Sequence, residues 1–141
     1  MNAAASRPPE GFQPIGGLSP FNALVGPLHS KREDGKPLSI GLRIEEKHTN
    51  SRGICHGGVL ATLADLSLGY AMHEQAGGNA AFVTAHLAVD YAGAARIGDW
   101  IASRVQIQRI GARLAFANCD LMAGDRAIVH ASAIFARADG E

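Results

Sequence analysis

Residues 59–74 constrain this chain more than any other stretch. Val59, Leu60, Leu63, Leu66, Leu68, Tyr70 and Met72, with Ala61, Ala64 and Ala71 between them, leave the segment almost no polar side. It has no proline and one glycine, Gly69, and Gly77-Gly78 follows it, so the pattern predicts a single helix closed by those glycines. A helix apolar nearly all round must be surrounded by protein. With 141 residues, 47% of them apolar, the chain has the size of one domain with a packed core. Much of the remaining chain must therefore cover this rod.

The flanking segments read as strands. Leu38 to Glu45 alternates apolar and polar without a miss, as a strand with one buried face does. After the helix, Val83, Ala85, Leu87, Val89 and Tyr91 alternate with Thr84, His86, Ala88 and Asp90. Further strands are predicted over about 100–110, 112–122 and 126–137, separated by Gly98-Asp99, Gly111 and Gly124-Asp125. Gly124-Asp125 between two such runs signals a tight hairpin. All prolines lie at or before Pro37, so the ladder is expected beyond them, and Phe21–Val25 is short enough for one helical turn before Gly26-Pro27. The expected order is two strands, one buried helix, then four strands. Short connections favour antiparallel pairing. One sheet covers one helix only by curling around it, which is an α+β hot-dog fold of about six strands on one long central helix. Residues 1–20, with Pro8, Pro9, Pro14 and Pro20, read as a flexible arm before a single domain over 21–141.

Several function classes drop out. Thirteen Lys and Arg balance thirteen Asp and Glu, which removes the basic surface that nucleic acid requires, though not a local patch for one phosphorylated ligand. Cys55 and Cys119 are too few for a disulfide framework and fit a reducing compartment. Met1–Gly17 lacks the apolar run of a signal peptide, and no stretch approaches a membrane span, so a cytoplasmic protein is expected. G-x-S-x-G, P-loop, G-x-G-x-x-G and H-E-x-x-H patterns are absent, His73-Glu74 lacks the second histidine of a zinc helix, and the cysteines lack metal-ligand spacing, so no metal is expected.

Asp65 stands out because it lies mid-helix between Ala64 and Leu66. A carboxylate there is either a structural group bonded to a nearby hydroxyl or a general base or nucleophile, since perturbed carboxylates gather at active sites. Asn50-Ser51-Arg52-Gly53-Ile54-Cys55-His56-Gly57-Gly58 leads into the same helix. Free N–H groups at Gly57 and Gly58, at the positive helix end, suit an anion or a carbonyl gaining negative charge, although a plain glycine-rich helix start has the same sequence. Eight residues of helix separate Gly57 from Asp65 by roughly 12 Å. If the two act on one carbonyl, Asp65 must face the Gly57 of another copy, which puts the site at a two-fold interface.

The series Asn50…His56-Gly57-Gly58…Asp65, Val83-Thr84, Asp90-Tyr91…Gly98-Asp99, Gly111 resembles the hot-dog thioesterases of the phenylacetate-degradation type over about residues 20–137. The resemblance implies an acyl-CoA thioesterase that forms dimers or dimers of dimers and needs no cofactor besides the coenzyme A of its substrate. Asp65 would attack the thioester or activate water, and Gly57 would donate its N–H to the thioester oxygen. Asn50 and His56 would hold carbonyl and water or support the helix start, and Thr84 would bind the water. The coenzyme A arm would meet loops at 91–96 and 109–114, making Arg96, Arg109, Gly111, Arg113 and Arg137 its candidate contacts. Where relatives often carry a proline, the loop after Tyr91 here reads Ala92-Gly93-Ala94-Ala95. Two other readings remain for the same fold, a non-catalytic acyl-CoA-binding module and a hydratase or dehydratase. The latter relatives pair a histidine and an acid at a spacing that this sequence lacks around Asp65. Of the other residues, Cys55 beside His56 is a weak nucleophile candidate, His86 shares the predicted strand face of Thr84, and Leu63, Leu66 and Tyr70 are candidates for an acyl pocket.

Overall fold

The long helix forms over Gly57–Gln75 and ends at Ala76, where Gly77 and Gly78 both take positive φ and turn the chain away. The computed structural model describes residues 7–138. Its elements are β1 (Gln13–Pro14), α1 (Pro20–Val25), β2 (His29–Lys31), β3 (Ser39–Arg43), a 3-10 turn at Glu46–His48, α2 (Gly57–Gln75), β4 (Phe82–Tyr91), β5 (Trp100–Ile110), β6 (Leu114–Ala123) and β7 (Arg126–Arg137). All strands join one antiparallel sheet in the order β1-β2-β3-β5-β6-β7-β4. The sheet curls around α2 without closing, so the hot-dog arrangement stands, with seven strands among the described residues in place of about six.

One side of α2, carrying Leu60, Leu63, Ala64, Ser67, Leu68, Ala71 and Met72, is buried on the sheet. The inner faces of β6 and β7 meet it largely through small side chains, Ala115, Ala117, Ala131 and Ala133, all buried. Such residues let a helix backbone lie close to the sheet and keep packing dense. The opposite side of α2, with Thr62, Asp65, Gly69 and Tyr70, is only half-buried.

Two short strands went undelimited in the sequence: β1 comes from residues read as an arm, and β2 from a segment given no element. Pro14 pairs with His29 on the outermost strand, where a missing N–H removes nothing from the ladder. Phe12 stands edge-on to Trp100 at 5.2 Å, and Ile15 and Leu18 pack on the core. The described part of the expected arm, from about Pro9 onward, is therefore docked on the sheet; residues 1–6 lie outside the described residues.

A second correction concerns β4. Thr84 pairs with Phe135 of β7, but the next paired residue is His86, with Ile134, so Ala85 forms a bulge. The bulge inverts the alternation. Thr84 points inward with Leu87, Val89 and Tyr91, while His86 joins Ala88 and Asp90 on the outer face, opposite to the expected sharing of one face by Thr84 and His86.

Gly41 of β3 shows how closely the outer layer is fitted. A Cβ there would lie 2.2 Å from Cζ2 of Trp100, whose ring also carries the Arg43 guanidinium at 4.9 Å. Gly41→Ala should therefore lower stability by about 1–3 kcal/mol, read from the chemical denaturation midpoint, because the indole must leave its place. An unchanged midpoint would mean that the indole shifts at no cost.

Candidate active site

The Ala85 bulge brings the hydroxyl of Thr84 onto α2. Thr84 Oγ1 donates to Oδ1 of Asp65 at 2.7 Å. Asp65 lies on the half-buried side of the helix, not in the core, and its Oδ2 has no donor among the described residues. The result is a carboxylate held by one hydroxyl with its other oxygen free. Thr84 Oγ1 also keeps lone pairs for a second donor, such as water.

At the other end of α2, His56 occupies the N-cap position. Its Nδ1 accepts the Gly58 N–H at 2.8 Å, and its carbonyl accepts the N–H groups of Val59 and Leu60 at 3.0 and 3.3 Å. Of the first-turn donors this leaves the Gly57 N–H without an acceptor among the described residues, at the positive pole of the helix. Because Nδ1 accepts, the neutral ring carries its proton on Nε2, so exposed His56 offers a second N–H beside that of Gly57. Tyr91 clamps the helix start: its hydroxyl donates to the Gly57 carbonyl at 2.7 Å, and a Cβ on Gly57 would meet its ring at 3.3 Å. Nothing in the sequence pattern singled Tyr91 out for this contact.

Asn50 organises the loop before the helix. Its Oδ1 accepts the Arg52 and Ile54 N–H groups at 2.9 and 3.4 Å, which leaves the side-chain NH2 for any external partner. Behind it, buried His48 accepts the Glu45 N–H on Nδ1 at 2.9 Å and donates from Nε2 to the Val25 carbonyl, pinning the 3-10 turn to α1.

Within one protomer these groups form two sets. Asp65 and Thr84 sit toward the start of β4, together with Arg137, whose guanidinium stacks on Phe82 at 5.5 Å. Arg113 belongs to that end, its carbonyl accepting the Arg137 N–H at 2.9 Å, and so does the β5–β6 turn with Arg109 and Gly111. Gly57, His56 and Asn50 sit at the end of β4, near Arg96, which bridges to Ile54. A second bulge, at Gln108, places Arg109 opposite Phe116 on the outer face. Of the acyl-pocket candidates, Leu66 and Tyr70 line a cavity beside Asp65, whereas Leu63 is fully buried in the core.

The cysteines do not join either set. Burial pushes the Cys55 thiol up to about 11, and Cys119 up to about 12 with the Asp120 charge adding to burial. Cys55 Sγ donates to the carbonyl oxygen of His56 at 3.7 Å, while the His56 Nδ1 is taken by the Gly58 N–H. Among the described residues no three His, Cys, Asp or Glu side chains meet in a possible metal site. Thiols raised this far are almost entirely protonated at pH 7.5 and react slowly with electrophiles. Native protein should thus retain both free thiols during an iodoacetamide incubation that alkylates a small-molecule thiol, as counted by mass; rapid loss of either would contradict the burial.

The family model of the thioesterase superfamily matches residues 52–130. PA0474 of Pseudomonas aeruginosa, named as a candidate esterase, is 42% identical over 127 residues, covering 90% of this chain and 95% of that protein. Mouse acyl-coenzyme A thioesterase 13 is 38% identical over 85 residues, covering 60% of this chain and 59% of its own. Among solved structures, the E. coli PaaI protein from the phenylacetic acid degradation operon superposes with a TM-score of 0.75 at 20% identity, covering 84% of this chain and 83% of that one.

Proposed function

From the premise that this chain belongs to the thioesterase superfamily, we propose that it hydrolyses an acyl-CoA thioester to free CoA and a carboxylic acid, at a site shared by two copies. One observation carries the reading: the first turn of α2 keeps one unfilled donor, the Gly57 N–H, and the same helix holds a half-open carboxylate anchored by Thr84. An oxyanion donor and a carboxylate are what acyl transfer from a thioester requires.

The two sets meet across a dimer. β4 is an edge strand with no neighbour beyond it among the described residues, and Val83 and Tyr91 on it are 56% and 54% exposed. Two β4 strands paired antiparallel about an axis midway between Thr84 and Tyr91 set the Thr84 of one copy opposite the Tyr91 of the other. Asp65 then faces the second copy's Gly57, and Arg96 joins the end that holds Arg109, Arg113 and Arg137 of the other copy. Those arginines, with the Gly111 turn, are our assignment for the coenzyme A arm. The same pairing covers the half-buried side of α2, which its apolar sequence demands. Edges of this kind invite pairing with another chain.

In the reaction, the Gly57 N–H and the His56 Nε2–H hold the thioester oxygen as negative charge develops on it. Water held by Thr84, with the Asn50 amide as a further support, loses its proton to Asp65 as its oxygen bonds to the carbonyl carbon. Collapse breaks the C–S bond, and the proton leaves Asp65 for the thiolate, giving CoA thiol and free acid. If Asp65 instead attacks the carbonyl carbon, a mixed anhydride forms and water releases the acid. Label from 18O-water then enters the Asp65 carboxylate in a single turnover only by the second route. Neither route calls on a cofactor other than the substrate's own coenzyme A. A cytoplasmic setting agrees with two unpaired thiols.

Thiol release over a panel of acyl-CoAs tests the activity, and Asp65→Asn should fold normally while losing about 10²–10³-fold or more in kcat. Binding without thiol release by the wild type would favour a non-catalytic module. The shared site has its own test. Asp65→Asn and His56→Ala are each expected to be nearly inactive. Refolded together they should recover about a quarter of wild-type turnover, since half of random dimers are mixed and each mixed dimer has one intact site. No recovery from a mixture shown to contain mixed dimers would place Asp65 and His56 in the same copy.

A further inference from the structure

We infer that β5 carries a docking slot for an extended segment of a partner protein, about four residues long, in which acidic and apolar side chains alternate. β5 runs for 11 residues, Trp100–Ile110, but β3 pairs only with its beginning, from Trp100 to Ala102. Ser103 ends that pairing. The Ser39 hydroxyl donates to the Ser103 carbonyl at 2.7 Å, and the Ser103 hydroxyl accepts the Ile40 N–H at 2.8 Å. The Ser103 carbonyl thus faces β3. Main-chain groups alternate between the two sides of a strand, so those of Val105 and Ile107 face the same way. They meet no partner there among the described residues. The bulge at Gln108 closes the stretch at its far end. On the inner face Val105 and Ile107 pack on the core yet stay half-buried, because no strand lies beside them. An edge protected against pairing carries an inward charge, a proline or a bulge along its length. Between Ser103 and Gln108 the inward residues are apolar instead.

Two cavities, of about 480 and 510 Å³, adjoin along this bare stretch and share Lys36, Pro37 and Val105 as lining. One holds Phe12, Lys31 and Arg104; the other reaches Ile107 and Gln75 at the end of α2. The first is strongly basic. Lys31 and Lys36 both pair with Glu33, each at 3.0 Å, so one acid serves two cations. The Arg104 guanidinium has neither a hydrogen bond nor an ion pair among the described residues. Asp120, opposite Arg104 on β6, is held by His130 at 2.8 Å. A strand laid along Val105 and Ile107 takes main-chain bonds from both. Its side chains point alternately to the cations and to the half-buried apolar row. That alternation sets the chemistry of the occupant, since a basic strand would be repelled and a wholly apolar one would leave Arg104 unpaired. β6 and β7 separate the slot from β4, so a second copy paired at β4 leaves it open.

The test titrates 15N-labelled protein with the peptide acetyl-Glu-Val-Glu-Val-Glu-amide and with its counterpart carrying lysine for glutamate. The acidic peptide should shift the Val105 and Ile107 amide signals and slow their exchange with solvent. It should bind about tenfold more tightly than the basic one, the order of one charge-assisted hydrogen bond. Arg104→Glu should weaken its binding by about the same factor. Val105→Pro removes an N–H that faces the slot and none that faces β6, so it should fold and lose the peptide. Arg104 is exposed, so its variant keeps the test valid if Val105→Pro fails to fold. No shift at either amide, equal binding of the two peptides, or undiminished binding by Arg104→Glu overturns the inference. So does protection of these amides without peptide that fades on dilution, which would make a second copy the occupant.

Discussion

An apolar helix has no side that tolerates water, and a single sheet covers only one of its sides. α2 buries Leu60, Leu63, Leu68 and Met72 against the alanine-lined floor of β6 and β7, and keeps Thr62, Asp65, Gly69 and Tyr70 half-buried along the free edge of β4. Both the proposed chemistry and the proposed assembly follow from that imbalance. The uncovered side is where a carboxylate can remain partly solvated and reachable, and it is also the side that a second copy has most reason to cover.

Small local devices adjust this frame. The bulge at Ala85 lets one strand serve two purposes, turning Thr84 to Asp65 while Leu87 and Val89 still face the core. Without the extra residue, either Thr84 would face outward or the apolar positions after it would. At the helix start, a histidine that caps through Nδ1 is thereby fixed in the tautomer that presents Nε2–H. The cap fills the Gly58 donor and spares that of Gly57, so helix stability and the free donor come from one interaction. Tyr91 secures the carbonyl of the same glycine from β4, tying strand and helix together where geometry matters most.

The strand and helix spans after residue 38 were legible because their signals are local: alternation, an unbroken apolar run, glycines at the turns. β1 and β2 were not, because two- and three-residue strands have too few positions to show a period, and Pro14 argues against a strand anywhere but at an edge. The bulge was equally hidden, since Val83 to Tyr91 alternates cleanly and only the pairing with β7 shows that Ala85 is extra. Asp65, His56 and Gly57 could be singled out by their neighbours in the chain. The Tyr91 clamp and the shared lining of one cavity by Asn22, His73 and Asn79 could not, because those residues come from separate elements with no common spacing.

The sequence by itself determined that a greasy helix with an acid at its middle must be wrapped by an antiparallel sheet, and that its glycine-rich start and that acid are too far apart along the rod to act on one carbonyl. Those are matters of period and rise per residue, which chain order alone supplies. Only the tertiary structure decided which side of the helix is left open, which hydroxyl anchors the acid, and which first-turn N–H stays free. Each of these depends on the register of one strand against its neighbour, and a single extra residue in that register turns a side chain to the opposite face.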